Sequence, residues 1–198
     1  MIPLHADSVQ IVQNFVLSER PAGTSAYPSG HYLIPDTNIF LYCMDIIEHE
    51  SAFYDVIVLQ TVLEEVRNRS LPLYNRLRAL TKGDKKRFYV FHNEFRQETH
   101  VKRLQEEIIN DHNDRLVRKA CSWYKSHLAT ALAGTPNKVP EIVMLSDDRD
   151  NLRKAKSEGI ACCNSMLIFF SFFAPRTSKK IVCLSTARPL GYFRIYIP

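Results

Sequence analysis

The chain has 198 residues, of which 45% are hydrophobic and 24% are charged, and its formal net charge is +5. This size allows one domain with its own core and leaves little room for two, and the composition excludes a disordered or fibrous chain. The mild positive charge is compatible with a polyanionic partner. The five cysteines follow no metal-binding spacing, and no apolar run approaches the roughly 20 residues that span a bilayer, so we expect reduced thiols and no membrane segment.

The chain begins with a segment, residues 1–30, that has one apolar patch followed by a loop containing proline and glycine. We expect this segment to be a loosely ordered lead-in, and its composition does not predict a signal peptide. Residues 31–160 form the predicted folded domain. Residues 161–198 follow as an atypical tail, and the closing strand expected at its start is not recognisable in the sequence.

Four apolar runs within the folded domain predict buried strands, at residues 31–35, 55–59, 87–91 and 141–145. Helices are predicted after or between them, at residues 39–47, from 61 onward, at 114–132 and at 150–158. Gly159 is placed to end the last helix. Because the strands are continuously apolar and alternate with helices, the prediction is a three-layer α/β/α domain with a mainly parallel central sheet.

Carboxylates follow the predicted strands at the edge where open parallel sheets bind ligands. Asp36 follows the first strand, and Asp147 and Asp148 follow the fourth. Asp114 is predicted to open the long helix, at the end of its apolar face. Acids packed together raise one another's pKa, and a divalent cation removes that cost. Oxygen ligands without histidine or cysteine suit magnesium or manganese, which can assist phosphodiester hydrolysis.

Each of these acids also has a structural interpretation. Asp36 and Asp148 could instead cap helices or close turns. Glu64 completes a capping box with Thr61, which favours a structural role for it. An isolated helix glutamate such as Glu65 is most often a surface residue. The joint arrangement of the acids favours a site over a set of separate coincidences.

Four motifs extend this argument: LIPDTN at 33–38, EVRNRS at 65–70, NDHNDRLVR at 110–118 and SDDR at 146–149. Together they resemble a PIN domain, in the form found in the catalytic subunit of the eukaryotic RNA exosome, a ribonuclease-II-like exonuclease. The resemblance covers about residues 30 to 160 and implies a metal-dependent endoribonuclease that cuts single-stranded RNA. The other domains of that subunit are not in this sequence, so we expect a truncated chain without exonuclease activity.

The resemblance also assigns roles to individual residues. It implies that two manganese or magnesium ions are bound by four catalytic acids: Asp36, Glu65, Asp114 and Asp148. We expect three neighbours to support these acids without binding the metal: Thr37, Asn38 and Asp147. Two arginines flank the proposed site and are the expected phosphate contacts to RNA: Arg115 and Arg118.

The resemblance further implies partners and a location. Single-stranded RNA and the exosome core ring are the expected partners, without a membrane or a small-molecule cofactor, in the nucleus (including the nucleolus) and the cytoplasm. The alternative is a non-catalytic module that docks on the exosome or binds RNA. The presence of all four acids favours the nuclease. A receiver or phosphatase domain also has aspartates at strand ends, but the sequence has no suitable Asp-x-Asp nucleophile motif and no glycine-rich phosphate loop.

Overall fold

The computed structural model describes residues 27–49, 53–83 and 86–166, together with Pro21 and Gly23. Most of the predicted lead-in and residues 167–198 of the predicted tail lie outside the described residues. The described part confirms the predicted α/β class, because it contains a five-stranded parallel sheet surrounded by helices. None of the helices in these ranges has the length and apolar character needed to cross a membrane.

The sheet has the strand order β3-β2-β1-β4-β5. Its members are β1 (His31–Pro35), β2 (Val56–Leu59), β3 (Phe88–Phe91), β4 (Glu141–Leu145) and β5 (Ala161–Cys163). All pairings are parallel. The whole of β2 and the last four residues of β1 and β4 are buried, so both faces of the sheet are covered, as the continuous apolar runs predict.

The chain reverses its direction of travel across the sheet beside β1. It runs from β1 outward to β3, and then returns to place β4 on the other side of β1. The register aligns Pro35 with Leu145, and the Asp36 N–H donates to the Leu145 carbonyl at 2.9 Å. The residues after β1 and β4 therefore meet in the crevice at the switch point, which is where open sheets of this type bind ligands.

The described part contains six α-helices, which are α1 (Thr37–Tyr42), α2 (Met44–Glu48), α3 (Gln60–Arg69), α4 (Leu71–Lys82), α5 (Ile109–Ala131) and α6 (Arg149–Ser157). The helix predicted at 39–47 is divided at Cys43. The helix predicted from Thr61 onward is divided at Ser70, whose hydroxyl accepts from the Leu73 N–H and caps α4. Pro72 lies in the first turn of α4, where a missing N–H is tolerated, so a new helix begins there.

The start of α5 differs from the prediction. The helix begins at Ile109 rather than at Asp114, and Asp114 therefore lies in its second turn. The polar residues at 110–113 resemble capping residues, but the helix cap is Ile108, which makes no side-chain hydrogen bond. The predicted apolar face is confirmed, because Val117, Tyr124 and the residues at the same spacing are buried.

Strand β5 is a closing strand that could not be recognised in the sequence after residue 160. Ala161 pairs with Val143 and Cys163 pairs with Leu145, so the sheet extends past the predicted domain boundary. The strand has three half-buried residues, too few to give an apolar pattern in the sequence. Gly159 ends α6 with a φ of 72°, as predicted, because glycine adopts this conformation without strain.

The predicted capping box at the start of α3 is wrong. Thr61 lies inside the helix, and its hydroxyl donates to Glu94 Oε1 at 2.8 Å. The Thr61 N–H is bound instead by the side chain of Asn93, which is 32 residues away in the sequence. Glu64 is exposed and accepts from Gln60 Nε2 at 2.7 Å. A distant residue therefore provides the cap that the local motif suggested.

Candidate active site

One small cavity, of about 90 Å³, brings the four predicted acids together. It lies at the carboxyl end of β1 and β4. Its lining consists of the four acids, the predicted supporting residues Thr37 and Asn38, and four others: Arg69, Asn110, Asn113 and Val117. The elements that form it are α1, α3, α5 and the start of α6, so four separate parts of the sequence contribute.

Asp36 caps a helix and also lines the cavity. Its Oδ1 accepts from the Ile39 N–H at 3.0 Å and caps α1. Its Oδ2 is buried and has no hydrogen-bond partner in the part of the chain that the structure describes. Burial raises the pKa of Asp36 to about 6, against the opposing effects of the Ser146 hydroxyl and nearby backbone N–H groups. A buried carboxylate oxygen without a partner is costly, and a cation would relieve that cost.

Glu65 is held in place by three side chains on three different elements. Its Oε2 accepts from the Thr37 hydroxyl at 2.7 Å and from Asn113 Nδ2 at 3.0 Å. Its Oε1 pairs with Arg69, one turn later on α3, at 2.8 Å. Thr37 therefore supports an acid, as predicted for it, and the glutamate is fixed rather than a mobile surface residue.

Asp114 carries the strongest electrostatic strain of the set. Burial is the largest cause, followed by the charges of Asp36 and Asp148, and together they raise its pKa to about 7. Arg118 acts in the opposite direction. Acids that repel one another in this way form a site that attracts cations.

The side chains of Asp148 and its neighbour Asp147 have different surroundings in the structure. Asp148 lines the cavity, and its Oδ1 caps α6 by accepting from the N–H groups of Asp150 and Asn151 at 2.8 and 2.9 Å. Asp147 instead accepts from the backbone and hydroxyl of Ser165 at 2.9 and 2.7 Å. Asp147 is not among the lining residues, but its negative charge affects the site by raising the pKa of Asp36.

The two arginines predicted to contact RNA phosphates, Arg115 and Arg118, do not line the cavity. Arg115 pairs with Glu107 at 2.5 Å and also donates to the Lys102 carbonyl, away from the cavity. The Arg118 side chain is only 7% exposed and pairs with Glu158 at 2.8 Å. Both guanidinium groups therefore bind carboxylates within the protein, and these carboxylates lie outside the motif that contains the two arginines.

Four lining residues were not predicted as site residues, and three of them are polar. Asn113 orients Glu65, and Asn110 accepts from Arg69 at 3.3 Å. The side chain of Arg69 is 43% exposed, and it is the one basic residue that lines the cavity in the described ranges. Arg69 lies four residues after Glu65 on the same helix, and this spacing could have identified it.

The acids surround the cavity rather than converge on one point. In residues 27–49, 53–83 and 86–166, no three histidine, cysteine or acidic side chains stand close enough to hold a single ion. Magnesium commonly keeps several waters and uses only one or two carboxylates, so an arrangement spread around a cavity remains compatible with it.

A second, larger cavity of about 630 Å³ lies near the starts of β2 and β3, at the opposite edge of the sheet. Tyr54, Arg76 and Lys86 are among its lining residues. Arg76 pairs with Glu48 at 2.6 Å, and Lys86 donates to the Ile47 carbonyl. The charges of this cavity are used within the protein, and it offers no reactive set of residues like that of the acidic cavity.

Comparisons with known proteins agree on one family. A family model described as "PIN domain" matches residues 33–166. The chain is 46% identical over 157 residues to "Exosome complex exonuclease dis3" of Schizosaccharomyces pombe, and 43% identical over 163 residues to "Exosome complex exonuclease RRP44" of Homo sapiens. These matches cover 79% and 82% of this chain but 15% and 17% of the relatives, so the chain spans about a sixth of their length. The solved structure described as "Structure of T. brucei RRP44 PIN domain" has a TM-score of 0.61 and 32% identity, and the match covers 70% of this chain and 79% of that one.

Proposed function

We propose that this chain, which belongs to the PIN-domain family, is a metal-dependent endoribonuclease that hydrolyses the phosphodiester bonds of single-stranded RNA. The observation that carries the proposal is the cavity lined by Asp36, Glu65, Asp114 and Asp148. These acids come from four separate parts of the chain, and each either caps a helix, is held by neighbours or is strained by the other acids. A chance group of surface carboxylates would not combine these features.

The donor set fits divalent magnesium or manganese. The cavity offers carboxylate and amide oxygens, which such hard cations prefer, and Asp36 Oδ2 is buried without a hydrogen-bond partner among the described residues. Because the acids surround the cavity, we propose two ions held by Asp36, Glu65, Asp114 and Asp148 together with water. When bound, the ions supply positive charge for phosphate oxygens and lower the pKa of water.

The residues of this chain prepare the site before any ion or substrate enters. Thr37 and Asn113 fix the Oε2 atom of Glu65, which would otherwise rotate. The capping bonds of Asp36 and Asp148 use one oxygen of each carboxylate and fix the direction of the other. A cation therefore meets carboxylates that are already oriented, and little conformational entropy is lost on binding.

Arg69 is the residue that we propose contacts an RNA phosphate. It lies at the cavity, its side chain is 43% exposed, and its present partners, Glu65 and Asn110, leave it open to solvent. An acidic site repels RNA, so a cation at its mouth is needed to bring the phosphate close. The small volume of the cavity favours one extended strand, which can direct a single phosphate inward.

The names of the relatives suggest where this activity would operate. Because two of them are named exosome complex exonucleases, we propose that this chain acts in RNA processing and decay with the exosome core ring. We propose the nucleus, including the nucleolus, and the cytoplasm as its location. The alternative is a module that docks on the exosome or binds RNA without cutting it.

The test is cleavage of a circular single-stranded RNA, which has no ends and can be opened only by an endonuclease. The full chain is compared with Asp114→Asn, in manganese and in chelator. Glu106→Gln is the matched control, because it also neutralises one carboxylate but is exposed and does not line the cavity. We expect manganese-dependent opening by the wild type and the control, and none by Asp114→Asn. A folded wild type that binds the exosome ring but leaves the circle intact would support the docking module instead.

A further inference from the structure

We propose that Arg118 is a positioning residue, which joins helices α5 and α6 so that Asp114 and Asp148 line the same cavity. The proposal rests on the proposed nuclease function for its effect on cleavage, but not for its effect on the structure. It assigns a task to a buried arginine whose described hydrogen bonds all lie within the protein.

The geometry of Arg118 is that of a bridge between two helices. Its side chain leaves α5 and is only 7% exposed. Its Nε donates to Glu158 Oε1 at 2.8 Å, just after the end of α6. Its Nη1 donates to Asn151 Oδ1 at 2.7 Å, in the first turn of α6. One guanidinium therefore binds the two ends of the same helix, which fixes both the position and the direction of α6.

The bridge continues from Asn151 to a catalytic acid. The Asn151 backbone N–H donates to Asp148 Oδ1 at 2.9 Å, while its side-chain Oδ1 accepts a hydrogen bond from Arg118. Asn151 is 1% exposed, and its Nδ2 has no hydrogen-bond partner in the described part of the chain. The bond from Arg118 is therefore the one described hydrogen bond that orients the Asn151 side chain. Losing it would leave both amide atoms of a buried residue unsatisfied.

On the other helix, Arg118 lies one turn after Asp114, and residues four apart share a face of a helix. Arg118, which anchors α5 to α6, and Asp114, the proposed metal-binding acid of α5, are therefore close together on one rigid helix. Arg118 also places a buried positive charge near an acidic cavity. Lys119, the next residue on the same helix, is exposed and does not line the cavity. Its replacement removes one positive charge from α5 and breaks none of the described bonds to α6, which makes it a matched control.

The experiment compares the full chain with Arg118→Met, Arg118→Lys and Asn151→Ala, and with Lys119→Met as the control. Three quantities are measured: the midpoint of Mn²⁺ binding by calorimetry, hydrogen exchange in the first turn of α6, and the KM and kcat for RNA cleavage at several salt concentrations. For Arg118→Met we expect a Mn²⁺ midpoint and a kcat that are worse by roughly 10-fold or more, with faster exchange in α6. The KM for RNA and its salt dependence should stay within about twofold, because no phosphate contact is lost.

The variants separate a positioning role from the alternatives. Arg118→Lys keeps the charge and should recover part of the Mn²⁺ affinity, whereas Lys119→Met should change none of the three quantities. Asn151→Ala keeps the Arg118–Glu158 pair, so it tests the same link if Arg118→Met does not fold. It should change the Mn²⁺ midpoint, the kcat and the exchange in α6 in the same direction as Arg118→Met. A higher KM with a smaller salt dependence, at unchanged Mn²⁺ affinity, would show an RNA contact and overturn the proposal. Unchanged exchange and Mn²⁺ binding in both Arg118→Met and Asn151→Ala would also overturn it, even if the wild type cuts no RNA.

Discussion

Replacing Asp114 by asparagine should stabilise the metal-free protein at neutral pH while it abolishes cleavage. In the folded state the carboxyl of Asp114 is buried among other acids, and its pKa is raised from 3.8 to about 7. The folded protein therefore binds this proton more tightly than the unfolded chain does. The contribution of Asp114 to the stability of the protein is therefore greatest in acid and decreases as the pH rises between these two values. In the folded cavity the ionised carboxyl is repelled by the other acids, whereas in the unfolded chain it is not.

The size of the effect follows from the two pKa values. The difference between 3.8 and about 7 corresponds to at most about 4 kcal/mol of folding free energy, at about 1.36 kcal/mol per pH unit. Asp114 is only half-buried, so solvent screens part of this repulsion, and we expect about 1–2 kcal/mol. Asparagine has nearly the same shape and no charge, and no hydrogen bond to the Asp114 carboxylate is among the described contacts.

The assay is urea unfolding in chelator at about pH 4 and about pH 8, with Glu106→Gln as the control. Asp114→Asn should be more stable than the wild type by about 1–2 kcal/mol at the higher pH, and nearly equal to it at the lower pH. The control should stay within about 0.5 kcal/mol of the wild type at both. If Asp114→Asn gains nothing at the higher pH, then the repulsion among the acids that underlies the proposed metal site is wrong.

Three further predictions concern the same region. Mn²⁺ binding, measured by calorimetry, should tighten as the pH rises through about 7, because protons compete for Asp36 and Asp114, whose pKa values are raised to about 6 and about 7; affinity that does not vary with pH would contradict this. Thr37→Val removes the hydroxyl that donates to Glu65 and should lower cleavage or Mn²⁺ affinity by roughly 10- to 100-fold, with the melting temperature as the check on folding. Tyr124→Phe should raise the free energy of unfolding by about 1 kcal/mol, since the buried Tyr124 hydroxyl has no described partner; a loss of stability would reveal a partner for that hydroxyl.

The parts of the fold that depend on local patterns could be predicted from the sequence. The strands β1 to β4 were placed to within a residue, because a continuous apolar run bounded by polar residues is a strong local signal. The break between α3 and α4 was missed although Ser70 and Pro72 mark it. The cap of α3 could not be predicted, because Asn93, which provides it, is far away in the sequence.

The site shows the same division between local and distant information. The acids were found because they follow strands or lie in recognisable motifs, and parallel strands bring such positions to one edge. Helical spacing shows which face of its helix Arg118 occupies, but it could not show that Glu158, 40 residues away, binds the guanidinium group. Arg69 was passed over among many basic residues, and only the cavity distinguishes it from them.

The double use of Asp36 and Asp148 has an evolutionary consequence. Each carboxylate caps a helix with one oxygen. Asparagine caps helices about as well as aspartate, and its codons differ from those of aspartate by a single base. A duplicated copy of this gene could therefore lose its chemistry in one step at either position and still fold. Among relatives that have become scaffolds, asparagine at these two positions should then be more common than alanine, as a record of the activity that was lost.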